Sequence, residues 1–236
     1  MSLYLLIEVC SVIVPLIYSF DKNMQFHKNW KSVLAAFAIT SAIYISGDIY
    51  FTHHGIWGFN PAYHVNFKLL GIPPEEWLFF WVIPYASIFL HYTFAFYFPR
   101  VILGEKLTKV ISVTLIVILV VVIFLNLEKI YTVFNCTILC AALIFSLFDK
   151  TKTINRYYIT FLIILGPFLL INSVLTGSFI DGEVYWYNNN YNLGIRVFTM
   201  PIEDIWYGFS LLLLNLLLMT KFQVVFKSKS NDRVLG

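Results

Sequence analysis

Four carboxyl side chains stand out because they come in two matched pairs. Glu75 and Glu76 follow Pro73-Pro74, and Glu203 and Asp204 follow Pro201-Ile202. Each pair runs straight into apolar sequence, Trp77-Leu78-Phe79-Phe80 in one case and Ile205-Trp206-Tyr207-Gly208 in the other. Proline in a first turn and acids beside the positive end of a helix dipole are ordinary helix-start signals, which one acid per helix would satisfy. A second, adjacent acid points about 100° away around a helix of 3.6 residues per turn, so one of each pair can face a helix bundle. An ionisable group facing a bundle interior is costly and is by default a functional candidate. Desolvation and a second carboxylate nearby both favour the protonated form near neutral pH. The chemistry that follows is proton donation and proton removal in a dry, greasy site. Asp48, in Ser46-Gly47-Asp48 near the outer end of its apolar run, and Glu8 in the first run are further acids to weigh, with Asn172 a loose counterpart of Asp48.

The elements that must position these acids are membrane helices. Of the 236 residues 59% are hydrophobic and only 12% charged, and mean hydropathy is +0.77, whereas a water-soluble domain carries roughly 25% charged residues. Apolar runs at 3–20, 32–50, 75–98, 109–127, 131–148, 157–175 and 203–221 are each near the length that crosses a bilayer. The expected fold class is therefore all-α, a polytopic membrane protein of about seven helices. The first run holds Glu8 and has no Lys or Arg ahead of it, so it reads as a retained helix rather than a cleaved leader. Connections 51–74 and 176–202 are long and rich in Gly, Asn and aromatic residues, a composition suited to the membrane interface.

Charge gives orientation. Thirteen of the sixteen Lys and Arg residues fall on every second connection, leaving Lys68, Lys129 and Arg196 on the other face. Since cytoplasmic loops carry the excess of basic residues, the expectation is a cell-membrane protein with the N-terminus outside, the C-terminus inside and both aromatic loops on the outer face. The polar stretch from Lys227 to Arg233 reads as a solvated cytoplasmic tail. A net charge of +3 gives no argument for nucleic acid as a partner; the lipid bilayer is the expected one.

The two long loops repeat. Trp57-Gly58-Phe59-Asn60, Tyr63 and the first Pro-acid motif align with Tyr185-Trp186-Tyr187-Asn188, Tyr191 and the second at one offset of 128 residues, without a gap. Residues 1–100 and 131–236 then form two three-helix repeats, joined by a linking helix within 101–130. The third and seventh helices run in the same direction, and their acidic starts share one face. Parallel repeats about an axis along the membrane normal are a known way to build a central site.

Other chemistries find little support. Cys10, Cys136 and Cys140 lie in apolar runs and behave as small hydrophobes. His53, His54, His64 and His91 lack a recognised ligand spacing, three of them in a loop expected to be wet, so no metal is expected. There is no dinucleotide fingerprint or phosphate-binding loop, no Asp-rich repeat to hold magnesium on a diphosphate, and no lysine between Asp204 and Thr220 for a retinal Schiff base. A small proton- or cation-linked transporter, its repeated acids binding the ion on a central axis, is an alternative reading, against which stands the lack of a polar ladder through a helix core.

A duplicated three-helix unit whose last helix opens with Pro-x-Glu-Glu or Pro-x-Glu-Asp after an aromatic loop resembles the membrane-embedded lycopene cyclases of the heterodimeric or fused type. The likeness spans nearly the whole chain and is sharpest at Pro73–Phe80 and Pro201–Asp204. It implies cyclisation of the linear ends of lycopene to β-ionone rings, giving γ-carotene and then β-carotene, without net redox change and without a flavin or other cofactor. It implies lycopene and γ-carotene as substrates and is compatible with association with other carotenoid enzymes. Glu75 and Glu203 are then expected as the principal acid/base residues, supported by Glu76 and Asp204. Carbocations need electron-rich, water-free walls, which makes Trp77, Phe80, Trp81, Trp206, Tyr207 and Phe209 candidate substrate contacts together with Asp48. Another carotenoid or isoprenoid substrate is the nearest alternative.

Overall fold

The computed structural model describes residues 2–232, with side chains through Phe226. Its seven α-helices are α1 (Leu3–Tyr18), α2 (Trp30–His53), α3 (Pro74–Tyr97), α4 (Glu105–Leu125), α5 (Ile130–Leu147), α6 (Thr153–Leu175) and α7 (Glu203–Asp232). The helices α2 to α7 are long and apolar enough to span a membrane. The 16 residues of α1 cover about 24 Å at 1.5 Å per residue. The chain is an all-α polytopic membrane protein.

Several ends differ from the sequence expectation. Both α4 and α6 begin four residues early, at Glu105 and Thr153, because Gly104 and a left-handed Lys152 break the chain just before them. The α7 backbone continues through Asp232, past the expected end at 221, so the polar stretch from Lys227 extends the helix; Arg233 lies outside the described residues. Nothing in that segment is a helix breaker.

Packing follows a regular pattern. α1 lies along α3 and α5 along α7, while α2 packs on α7 and α6 on α3. α4 lies outside, against α5. It buries Thr108, Ser112 and Leu119 and exposes Val110, Val117, Val121, Phe124 and Leu125. Such an outward apolar face is stable against hydrocarbon and unstable against water. The helix cores carry a few polar pairs. Thr40 donates to Asn215 (2.7 Å), Tyr44 to Ser210 (2.7 Å), and His91 meets Thr160 (2.7 Å). Each of these joins one helix to another, which serves helix association in lipid.

The two long loops, expected as separate interfacial belts, pair with each other. β1 (Trp57–Phe59) and β2 (Tyr185–Tyr187) are antiparallel, in register Trp57 with Tyr187, Gly58 with Trp186 and Phe59 with Tyr185. Their pairing puts the starts of α3 and α7 on one side of the bundle. A tight turn precedes each of these helices. Leu69 and Ile72 bridge ahead of α3, and β3 (Arg196–Val197) pairs with β4 (Met200–Pro201) ahead of α7. Leu70 and Phe198, at the same place in the two turns, both have φ of 54°.

Gly58 is required where β1 meets β2. A Cβ there would stand 2.6 Å from the Trp186 ring. Gly58→Val is expected to destabilise the protein by about 1–3 kcal/mol through overpacking, read as a lower thermal midpoint in detergent. Adding Trp186→Ala should restore most of it, and no restoration would mean that the strain lies in the backbone.

Candidate active site

The inner acid of each pair reaches the interior between the helix starts. Glu76 and Asp204 line one cavity with Tyr4, Trp57, Phe79, Tyr131, Phe168, Asn172, Tyr185, Tyr187 and Tyr207. Its volume is about 30 Å³, room for about one water. Helical geometry explains the choice of residues. Glu76 and Phe79 are three apart on α3, as are Asp204 and Tyr207 on α7, and residues so spaced share a helix face.

Phenols hold both carboxyls. Tyr4 donates to Glu76 Oε2 at 2.6 Å, while Asp204 accepts from Tyr131 at Oδ1 (2.6 Å) and from Tyr187 at Oδ2 (2.9 Å). Asp204 thus has two donors against one for Glu76. The Arg196 guanidinium lies 5.9 Å from the Tyr187 ring centre, adding positive charge on the Asp204 side. Tyr185 and Tyr187 belong to the loop strand, where burial pushes both phenols well above their ordinary value of 10.0, with Asp204 adding to the effect. They remain neutral hydrogen-bond donors through the neutral pH range.

The outer acids do something else. Glu75 Oε1 accepts from Ser2 Oγ (2.7 Å) and the Val65 amide (2.8 Å). Glu203 Oε1 accepts from Thr132 Oγ1 (2.6 Å) and the Leu193 amide (2.7 Å). Each clamps its own long loop, and the neighbouring helix start, to the first turn of α3 or α7. Neither lines the cavity, so the structure sets the inner acids, and not Glu75 and Glu203, against that space.

Asp48 is fully enclosed, 1% exposed, and accepts from Tyr207 at 3.3 and 3.2 Å. It stands behind the cavity wall and not at an interface. Phe80 is also behind that wall, packed on Tyr44 and Tyr207. The remaining aromatic candidates point elsewhere. Trp81 is 36% exposed and meets Phe37 edge-on. Trp77 is half-buried, Trp206 packs on the core remote from the loops, and Phe209 sits among Tyr157, Tyr158 and Phe161. Closeness in sequence to an acid spreads residues all around a helix, which is why only Tyr207 of these six rings lines the cavity.

Sequence reasoning missed Tyr4, Tyr131 and Phe168 altogether, since they come from distant helices, and took Tyr185 and Tyr187 for an interfacial belt. It also undervalued Glu8. That residue is 1% exposed and lies one turn from Tyr4 on α1, and neither of its carboxyl oxygens has a hydrogen-bond partner. At the matching place beyond Tyr131 stands Asn135, whose Nδ2 donates to the Tyr131 carbonyl at 2.9 Å. His64, expected in a wet loop, is buried edge-on to Phe59.

Compared with curated proteins and with solved structures, the chain has no significant match. The family model described as lycopene cyclase matches residues 1–94 and 128–222. Those two segments contain both Pro-acid motifs, both paired strands and every residue lining the cavity, and the chain belongs to the lycopene cyclase family.

Proposed function

We propose that this protein is a lycopene β-cyclase, which converts the linear ends of lycopene to β-ionone rings by way of γ-carotene, as an intramolecular, non-redox isomerisation. The observation that carries the reading is the placement of Glu76 and Asp204 on one small, aromatic-walled cavity. A protonated carboxyl gives its proton to the terminal double bond, and a neighbouring double bond attacks the resulting cation to close the ring. A carboxylate then removes a ring proton. One proton enters and one leaves, so atoms and charge balance.

Glu76, with a single phenol donor, is the acid in this scheme, and Asp204, with two donors, is the base. Tyrosine faces and Trp57 flank the path of the cation, where each aromatic face contributes about 0.5–2 kcal/mol. Glu75 and Glu203 are positioning residues that act through the loops they hold. Residues 1–100 and 131–236 are the two copies of one unit, linked by a helix within 101–130. The recurring turn geometry before α3 and α7, and the paired amides of Val65 and Leu193, support that division. The charge bias supports a cell-membrane orientation with the N-terminus and both loops outside.

Expression in bacteria that accumulate lycopene tests the reading directly. The expected result is a two-ringed carotene in the extracted pigment, with a one-ringed intermediate at early times. Unchanged lycopene with the protein present in the membrane would reject it.

A further inference from the structure

The acid cavity is too small for the substrate it is proposed to act on. With room for about one water, the 30 Å³ between Glu76 and Asp204 does not admit a ten-carbon isoprenoid end. A second cavity of about 190 Å³ lies beside it, lined by Ser11 and Pro15 of α1, Ile83 to Leu90 of α3, and Ile164 to Asn172 of α6. Its walls are almost wholly apolar. Phe168 and Asn172 line both cavities, so they form the partition between them.

Three features mark this second space as a built one. First, α1, α3 and α6 are the helices with internal prolines, Pro15, Pro84 and Pro167; α2, α4, α5 and α7 have none. A proline removes one backbone hydrogen bond and kinks a membrane helix, opening space beside it. Second, α1 and α6 both pack on α3 but hardly on each other, and Pro167 and Gly166 at the cavity edge are exposed. The cavity therefore opens sideways, between two helices, toward lipid. Third, the corresponding cleft between α5 and α2 is closed, since the Phe134 ring is packed so tightly on Gly47 that a Cβ there would stand 2.7 Å away.

We infer that the cleft between α1, α3 and α6 is the binding site for the isoprenoid end of the substrate, entered from the bilayer, with Phe168 as the gate to the two acids. The gate rests on α7, where a Cβ at Gly208 would stand 2.8 Å from the Phe168 ring. Swinging that ring aside joins the two spaces. With one open cleft, the two ends of a symmetric polyene are presented in turn to the same pair of acids.

The inference rests on the cyclase reading and is tested by a readout independent of turnover. The protein purified in detergent is mixed with lycopene, and the shift of the polyene absorption bands reports binding. Ala86→Trp fills the cleft, Leu162→Trp places the same bulk on the exposed outer face of α6, and Ala86→Trp with Leu90→Ala returns volume one turn away on α3. Ala86→Trp is expected to weaken binding and cyclisation about tenfold or more, Leu162→Trp to change neither, and the double variant to recover both. Recovery distinguishes a filled site from a damaged fold. Binding by the wild type that Ala86→Trp abolishes, without any cyclisation, would reject the cyclase reading and keep the site. Undiminished binding and turnover in Ala86→Trp would overturn the site and leave the cleft to a lipid chain.

Discussion

Glu76→Gln and Asp204→Asn are each expected to lower lycopene cyclisation by on the order of 10²–10⁴, the usual contribution of a positioned general acid or base. Both amides keep the size and one acceptor oxygen of the original side chain: Tyr4 keeps its acceptor, and in Asp204→Asn one of Tyr131 and Tyr187 keeps the carbonyl oxygen while the other turns to accept from the amide NH2, so the fold should survive. What is lost is the proton, in one case, and the negative charge that removes a proton, in the other. Glu75→Gln and Glu203→Gln should behave differently. The two bonds each outer acid receives end on the same oxygen, and an amide carbonyl can accept both. A stability loss of about 1 kcal/mol and near-normal pigment conversion are expected. The check is pigment composition against the amount of inserted protein for all four variants. Equal inactivity of Glu75→Gln and Glu76→Gln would show that the outer acids share in the chemistry.

Glu8→Leu should make the protein more stable and less active. A buried carboxyl with no partner carries a desolvation cost of about 1–3 kcal/mol, and replacing it by an apolar side chain of similar reach removes that cost. Natural sequences keep such groups where function needs them, at the expense of stability. Glu8 lies one helical turn from the phenol that holds Glu76, and its counterpart beyond Tyr131 is the amide Asn135. A carboxyl on the acid's side and an amide on the base's side is the asymmetry expected if Glu8 hydrogen-bonds to the acid as the proton moves. Loss of that bond would slow the reaction about tenfold. Thermal unfolding in detergent and pigment conversion, measured on the same preparations, separate the two effects. Unchanged activity would reduce Glu8 to a tolerated defect, and lower stability would mean that a bound water satisfies it.

Much of this architecture was legible in the sequence. Long apolar runs fix the number of helices because lipid demands about 20 residues per crossing, and an ungapped offset of 128 residues relates the two acid motifs. The family likeness rested on those motifs and agrees with the family match. The acids themselves could be found because carboxyl groups are rare in such a chain. Which acid of each pair faces inward was not legible, since it depends on the rotation of α3 and α7 about their axes, set by packing against α6 and α2. Nor could the cavity wall be read, because Tyr4, Tyr131 and Phe168 are brought together from three other helices. The pairing of Trp57–Phe59 with Tyr185–Tyr187 was hidden for a related reason. Three-residue strands separated by more than a hundred residues leave no periodic signal.

The pairing of those strands has a consequence for α4 that its own contacts do not suggest. From the start of α3 to the start of α7 the chain crosses the bundle four times, along α3, α4, α5 and α6. Four is even, so Glu76 and Asp204 return to the same face. Without α4 the count would be three, and Asp204 would emerge about 30 Å away, across the hydrocarbon. The helix with the fewest buried residues of the six long ones thus determines, by parity alone, whether the two carboxyls can ever share a substrate. Its outward side chains need only be apolar; its presence is what the geometry requires.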